Sequence, residues 1–135
     1  MSTQIIQNRI NINTVQVQRV LKMVINEDRV TISTSNAHLT DLCQSTLLYM
    51  LESVEEIKKD KYHLLDADDA AIIASLYSAL TSASATIERI NKDYFDDYIE
   101  CEAFITDEKA TNEAREALKK VLTDLATVVE LTETH

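Results

Sequence analysis

Three histidines, two cysteines and 23 carboxylates carry whatever acid–base, nucleophilic or metal-binding chemistry this sequence has. His38, His63 and His135 lie far apart, and none falls in the Glu-x-x-His pattern that places two ligands one helical turn apart in a di-iron bundle. No metal and no cofactor are expected. Asp60 precedes His63 by three residues, but the pair falls where a helix should end, so a solvated helix terminus is the favoured reading. Cys43 and Cys101 are 58 positions apart with no CxxC pairing, which fits buried reduced thiols better than a disulfide framework or a zinc site.

Carboxylate pairs at helical spacing are numerous: Glu52 with Glu55 and Glu56, Asp66 with Asp69, and Asp93 with Asp96 and Asp97. Facing pairs of this kind bind Mg²⁺ in all-helical nucleoside phosphate pyrophosphohydrolases, where the metal neutralises and orients a diphosphate. That hydrolase chemistry is the alternative reading of the chain. It requires inward-facing acids, whereas Glu52, Glu55 and Glu56 fall on the polar side of their helix, and a solvated face is favoured. The densest charge lies in NKDYFDDYIECEAFITDE, residues 91–108, with seven acids against Lys92 alone. On a continuous helix Asp93, Asp96, Asp97 and Glu100 form one stripe, with Phe104 projecting from the same side and Tyr94 and Tyr98 turned inward. Like charges at this spacing repel, so the cluster does not stabilise its own helix. Two explanations stand: solubility and a break in the helix, or an acidic patch with an aromatic anchor that docks on a partner protein's basic surface.

The elements that must position these residues follow from what the sequence lacks. It contains no Gly and no Pro in 135 residues, where average usage is roughly 7% and 5%. Tight β-hairpins draw on Gly for backbone at positive φ, so helices are favoured and strands are expected only within residues 1–35. The same absence excludes phosphate-cradling loops, dinucleotide fingerprints, the nucleophile elbow and the calcium-binding loop, all of which need Gly where backbone bends sharply. The net charge is −10 and the pI near 4.6. Residues 1–40 carry a net +2 and the remainder −12, so a basic arm precedes an acidic body. Direct binding to nucleic acid is not expected. Neither a signal-peptide pattern nor an unbroken apolar run of about 18 residues is seen, so a cytoplasmic protein with no membrane contact is expected.

The fold class is read as all-α: a single domain over 1–135, an antiparallel bundle of about four helices, with a short strand pair or irregular arm at its start. Residues 1–35 are ambiguous. Helix is preferred for 14–28, yet Ile10 and Ile12, and Val30 and Ile32, alternate as strands would. Read as a helix, the arm offers an oligomer seam at Ile6, Ile10, Val17, Val20 and Val24. The second helix runs from about 37, capped by Ser35 or Asn36, to the low 60s, with Leu39, Leu42, Cys43, Leu47, Met50 and Val54 inward. Asp66 caps a third helix and Thr106 a fourth, which ends near Leu131. Unbroken over 67–105, the third would be roughly 58 Å long and outrun its neighbours of about 25 residues. Either it breaks near Asn91–Asp93 or another subunit covers the surplus. The function expected is a non-enzymatic, acidic helical protein that binds other proteins as an adaptor, small chaperone or inhibitor, with imitation of nucleic-acid charge as a weaker variant and a homo-oligomer as its form.

Overall fold

In a computed structural model, which describes residues 3–98, 104–105 and 108–133, four helices form the bundle: α1 (Gln4–Val24), α2 (Thr34–Asp60), α3 (Ala67–Ile90) and α4 (Glu108–Thr132). Each packs on the next in sequence and α4 returns to α1, so the helices form a closed square. Cross-links fix the antiparallel order. Thr14 in α1 donates to the Met50 sulfur of α2 at 3.4 Å, Ser82 in α3 donates to Asp124 of α4 at 2.8 Å, and Gln7 in α1 donates to the Leu131 carbonyl of α4 at 3.2 Å.

α1 begins ten residues earlier than expected. Its sequence is rich in Asn and β-branched residues, which are poor helix formers, but Ile10, Thr14, Val17, Leu21 and Val24 recur at three- and four-residue steps and are all buried. Packing of that stripe overrides propensity. The expected oligomer seam is therefore filled from within: Ile10, Val17 and Val24 are core residues, and Ile6 and Val20 are half-buried against the core. Their stripe meets α2 and α4 of the same chain, leaving little of it for another subunit.

The helix ends at Val24 because the chain turns back there. β1 (Ile25–Asn26) and β2 (Arg29–Val30) pair antiparallel around a two-residue turn in which Glu27 and Asp28 have φ of 51° and 59°. Positive φ at both central positions marks the turn type that usually calls on Gly. Here two acidic residues adopt it, and the Lys119 ammonium of α4 holds the Asp28 carboxylate at 2.6 Å while Arg115 donates to the Asp28 carbonyl at 3.1 Å. β3 (Ile32–Ser33) pairs with β4 (Phe104–Ile105), so strand is not confined to residues 1–35. Backbone pairing needs no turn between distant partners, which is why the lack of Gly does not prevent it.

Ser33, rather than Ser35 or Asn36, caps α2 by accepting from the Asn36 N–H at 3.3 Å. Asp66 caps α3 as expected, at 2.8 Å from the Asp69 N–H. The proposed Thr106 cap lies outside the described residues. Leu47, Met50, Val54, Leu80, Ile87, Leu118, Val121 and Leu125 make up the centre of the core, whereas Leu42, expected inward, is exposed. By length and composition alone, Ala67–Tyr98 is apolar enough to cross a membrane. In the bundle its apolar stripe from Ile73 to Ile90 is buried between α2 and α4.

The length mismatch of the third helix is resolved by a break. α3 gives way at Asn91 to one wider π turn, Asn91–Phe95, and then to a 3₁₀ turn, Asp96–Tyr98. The extra residue in the wide turn shifts the helical phase. Phe95, five positions after Ile90, is thereby fully buried, while Tyr94 and Tyr98 only lean on the core. Replacing Phe95 with Ala should lower unfolding free energy by about 3–5 kcal/mol, and Asn91 with Ala by about 1–3 kcal/mol, in urea denaturation followed by circular dichroism. Losses under 0.5 kcal/mol at both positions would show that the break is not held by them.

Candidate functional site

At the acidic break, the backbone is placed by side chains that point inward. The Asn91 amide donates to the Thr40 carbonyl at 3.3 Å and to Gln44 Oε1 at 2.6 Å, tying the end of α3 to the first turns of α2. The Tyr94 hydroxyl donates to Glu113 Oε2 at 3.0 Å and ties it to α4. Partial burial, then that carboxylate, raise the Tyr94 pKa and keep the hydroxyl protonated as a donor. With Phe95 anchored, Asp93, Asp96 and Asp97 are left exposed. They do not form the single α-helical stripe expected, because the wide turn and the 3₁₀ turn change the angular step between them. Glu100 lies outside the described residues. Phe104 is placed by its backbone alone, opposite Ser33 in the β3–β4 ladder.

The other described carboxylates do not gather into one site. Glu52, Glu55 and Glu56 face solvent on α2, as does the Asp60–His63 region, and among the described residues no three His, Cys, Asp or Glu side chains gather as a metal site requires.

A second surface was not anticipated. On α1, Ile5, Ile12 and Met23 are 77%, 62% and 64% exposed. Their spacings of seven and eleven residues keep them within about 20° of one line along the helix. On the adjoining side of α2, Leu42 and Tyr49 are 57% and 51% exposed. At one end of the α1–α2 junction Ile5, Ile6, Arg9, Ser53, Glu56 and Ile57 line a cleft of about 270 Å³. At the other, Val20 and Leu42 wall a smaller depression over Cys43. The signal in the sequence is a second apolar phase on α1, opposite the one that includes Ile10, Val17 and Val24.

Cys43 is buried beneath that depression, and burial pushes its thiol up to about 12. Cys101 lies outside the described residues. No family model, curated protein sequence or solved structure matches this chain.

Because a thiol reacts as the thiolate, Cys43 should resist a thiol reagent at pH 8 in the native protein and react at an ordinary rate in denaturant. The sign of its linkage follows: its folded pKa is raised, so its contribution to stability is intact below the unfolded value of about 8.5 and declines as pH rises from there toward about 12. Fast native labelling of Cys43, located by peptide mapping, would contradict this burial.

Proposed function

We propose that the chain is a non-enzymatic protein-interaction module, an adaptor, small chaperone or inhibitor, that works in the cytoplasm. The observation that carries this reading is the outward row of Ile5, Ile12, Met23, Leu42 and Tyr49 on two adjacent helices. Single exposed apolar residues are ordinary, but several aligned on the adjoining sides of two helices support a binding surface. Proteins use such faces for affinity and their charged segments for steering. The exposed Asp93, Asp96 and Asp97 at the break supply the steering charge and favour a partner with a basic surface. Among the described residues no carboxylates gather in the way the Mg²⁺-dependent hydrolase would use.

Reversing Asp93, Asp96 and Asp97 together to Lys should leave the circular dichroism spectrum intact, because their side chains lie in solvent. Association with a basic partner captured from the native host should weaken about tenfold, with the difference shrinking as salt rises, since exposed charges are screened over about 8 Å at physiological ionic strength. Replacing Ile12 and Tyr49 with Ser should reduce binding to protein partners with little salt dependence. Unchanged binding after both sets of substitutions, measured by calorimetry, would reject the interaction reading.

A further inference from the structure

The apolar row on α1 and α2 is interleaved with charge of opposite sign on the two helices. Along α1 the outward residues are Ile5, Asn8, Arg9, Ile12, Gln16, Arg19, Lys22 and Met23, with no acid among them. Along α2 the outward residues include Asp41, Leu42, Tyr49, Glu52 and Glu56, with Lys59 and Lys61 following at the end of the helix. Among the described residues none of Arg9, Arg19, Asp41, Glu52 or Glu56 has an ion pair within the chain. The levels of the two helices are also fixed. Arg9 and Glu56 line one cleft, Thr14 touches Met50, and Val20 and Leu42 line one depression, so the antiparallel helices run past each other in a known register.

We propose, resting on the protein-interaction reading above, that the occupant of this face is a second copy of the chain, related by a two-fold axis parallel to the helices. That axis preserves level along the bundle and exchanges left for right, so α1 of each copy lies antiparallel over α2 of the other. Arg9 then meets the partner's Glu52 and the partner's Glu56. Ile12 meets the partner's Tyr49, and Arg19 and Met23 meet the partner's Asp41 and the partner's Leu42. Arg9 and Arg19 thus face acids and Ile12 and Met23 face apolar side chains, while Ile5, beside Lys61 at the end of α2, lies outside these pairings. The two α1–α2 pairs together form a four-helix bundle in which every neighbour is antiparallel, the arrangement each copy already uses internally. The other symmetric packing, α1 on α1 about an axis across the helices, sets Arg9 against the partner's Arg19 and is disfavoured by like charge. Charge thus selects one of the two ways of covering the same apolar face.

The test uses the full chain, with sedimentation equilibrium reporting mass and circular dichroism reporting fold. Wild type should be a dimer at about 100 µM, whereas Arg9→Glu with Arg19→Glu, and separately Asp41→Arg with Glu52→Arg and Glu56→Arg, should each raise the dimer dissociation constant about tenfold or more while remaining helical. An equimolar mixture of the two variants should recover a dimer containing one of each, because every contact between them then joins opposite charges. A wild-type monomer at that concentration overturns the proposal, as does a dimer that the reversals do not weaken or a variant mixture that does not pair. If wild type is monomeric yet Ile12→Ser with Tyr49→Ser still abolishes capture of another protein, the second-copy assignment fails while the interaction reading stands.

Discussion

The buried amide of Asn91, donating across to Thr40 and Gln44 on α2, settles where the longest apolar stripe in the chain stops being a regular helix. Without a stop there, α3 would project past α2 and α4 and leave Tyr94, Phe95 and Tyr98 without neighbours. The wider turn inserts one residue, swings Phe95 into the core, and lets the chain continue toward β4, which rejoins the start of the bundle beside β3. The cost is one carbonyl: Asn91 Oδ1 is buried with no hydrogen-bond partner among the described residues. An unpaired amide oxygen costs roughly 1–3 kcal/mol, which full burial of Phe95 offsets. The acidic residues stay exposed because every inward position in this segment is already taken by Asn91, Phe95 and the flank of Tyr94.

The helical class, the count of about four helices, the Asp66 cap and the central core could be read from residue spacing and from the missing Gly and Pro, whereas the break near Asn91 is one of two alternatives that the length of the third helix leaves open. Two kinds of feature could not. In α1 the sequence favours helix from residue 14 on, but the β-branched residues before it leave residues 4–13 open to strand, and only the tertiary burial of every third or fourth residue decides for helix there. In the turn at Glu27–Asp28 Asp28 tolerates positive φ but Glu27 argues against it, and the contacts that hold the turn come from some ninety positions away, on Lys119 and Arg115. Charge neutralisation also lowers the Asp28 pKa, chiefly through its hydrogen bond to Lys119. Sequence patterns resolve periodic features well and long-range compensation poorly.

Of the two candidate surfaces, the acidic one was visible as composition but not as shape, because a helical projection cannot anticipate a change of step. The apolar one was missed for a related reason. Leu42 sits one position from the buried Cys43, and Ile12 two from the buried Ile10, so a reading that gathers all apolar residues of a helix into one face merges the inner stripe with the outer. Separating the two phases on α1 before assigning either to the core would have revealed an amphipathic helix with two apolar lines, a narrower core contact than its composition suggests, and an outer line whose intervening charges are all basic.

The first and last helices also touch at the same end of the bundle, where Gln7 reaches the Leu131 carbonyl and Asn11 donates to the Thr132 hydroxyl at 2.9 Å. With Thr3 and Thr132 both buried there, the path of the backbone is close to a ring, and what the fold specifies is the cyclic order of four helices rather than which of them comes first. A short peptide bridging that end, with the chain reopened between α2 and α3 where Lys61–Leu64 are exposed, would preserve every interhelical contact described above. Read as a closed loop, the molecule keeps its core under rotation of its own numbering.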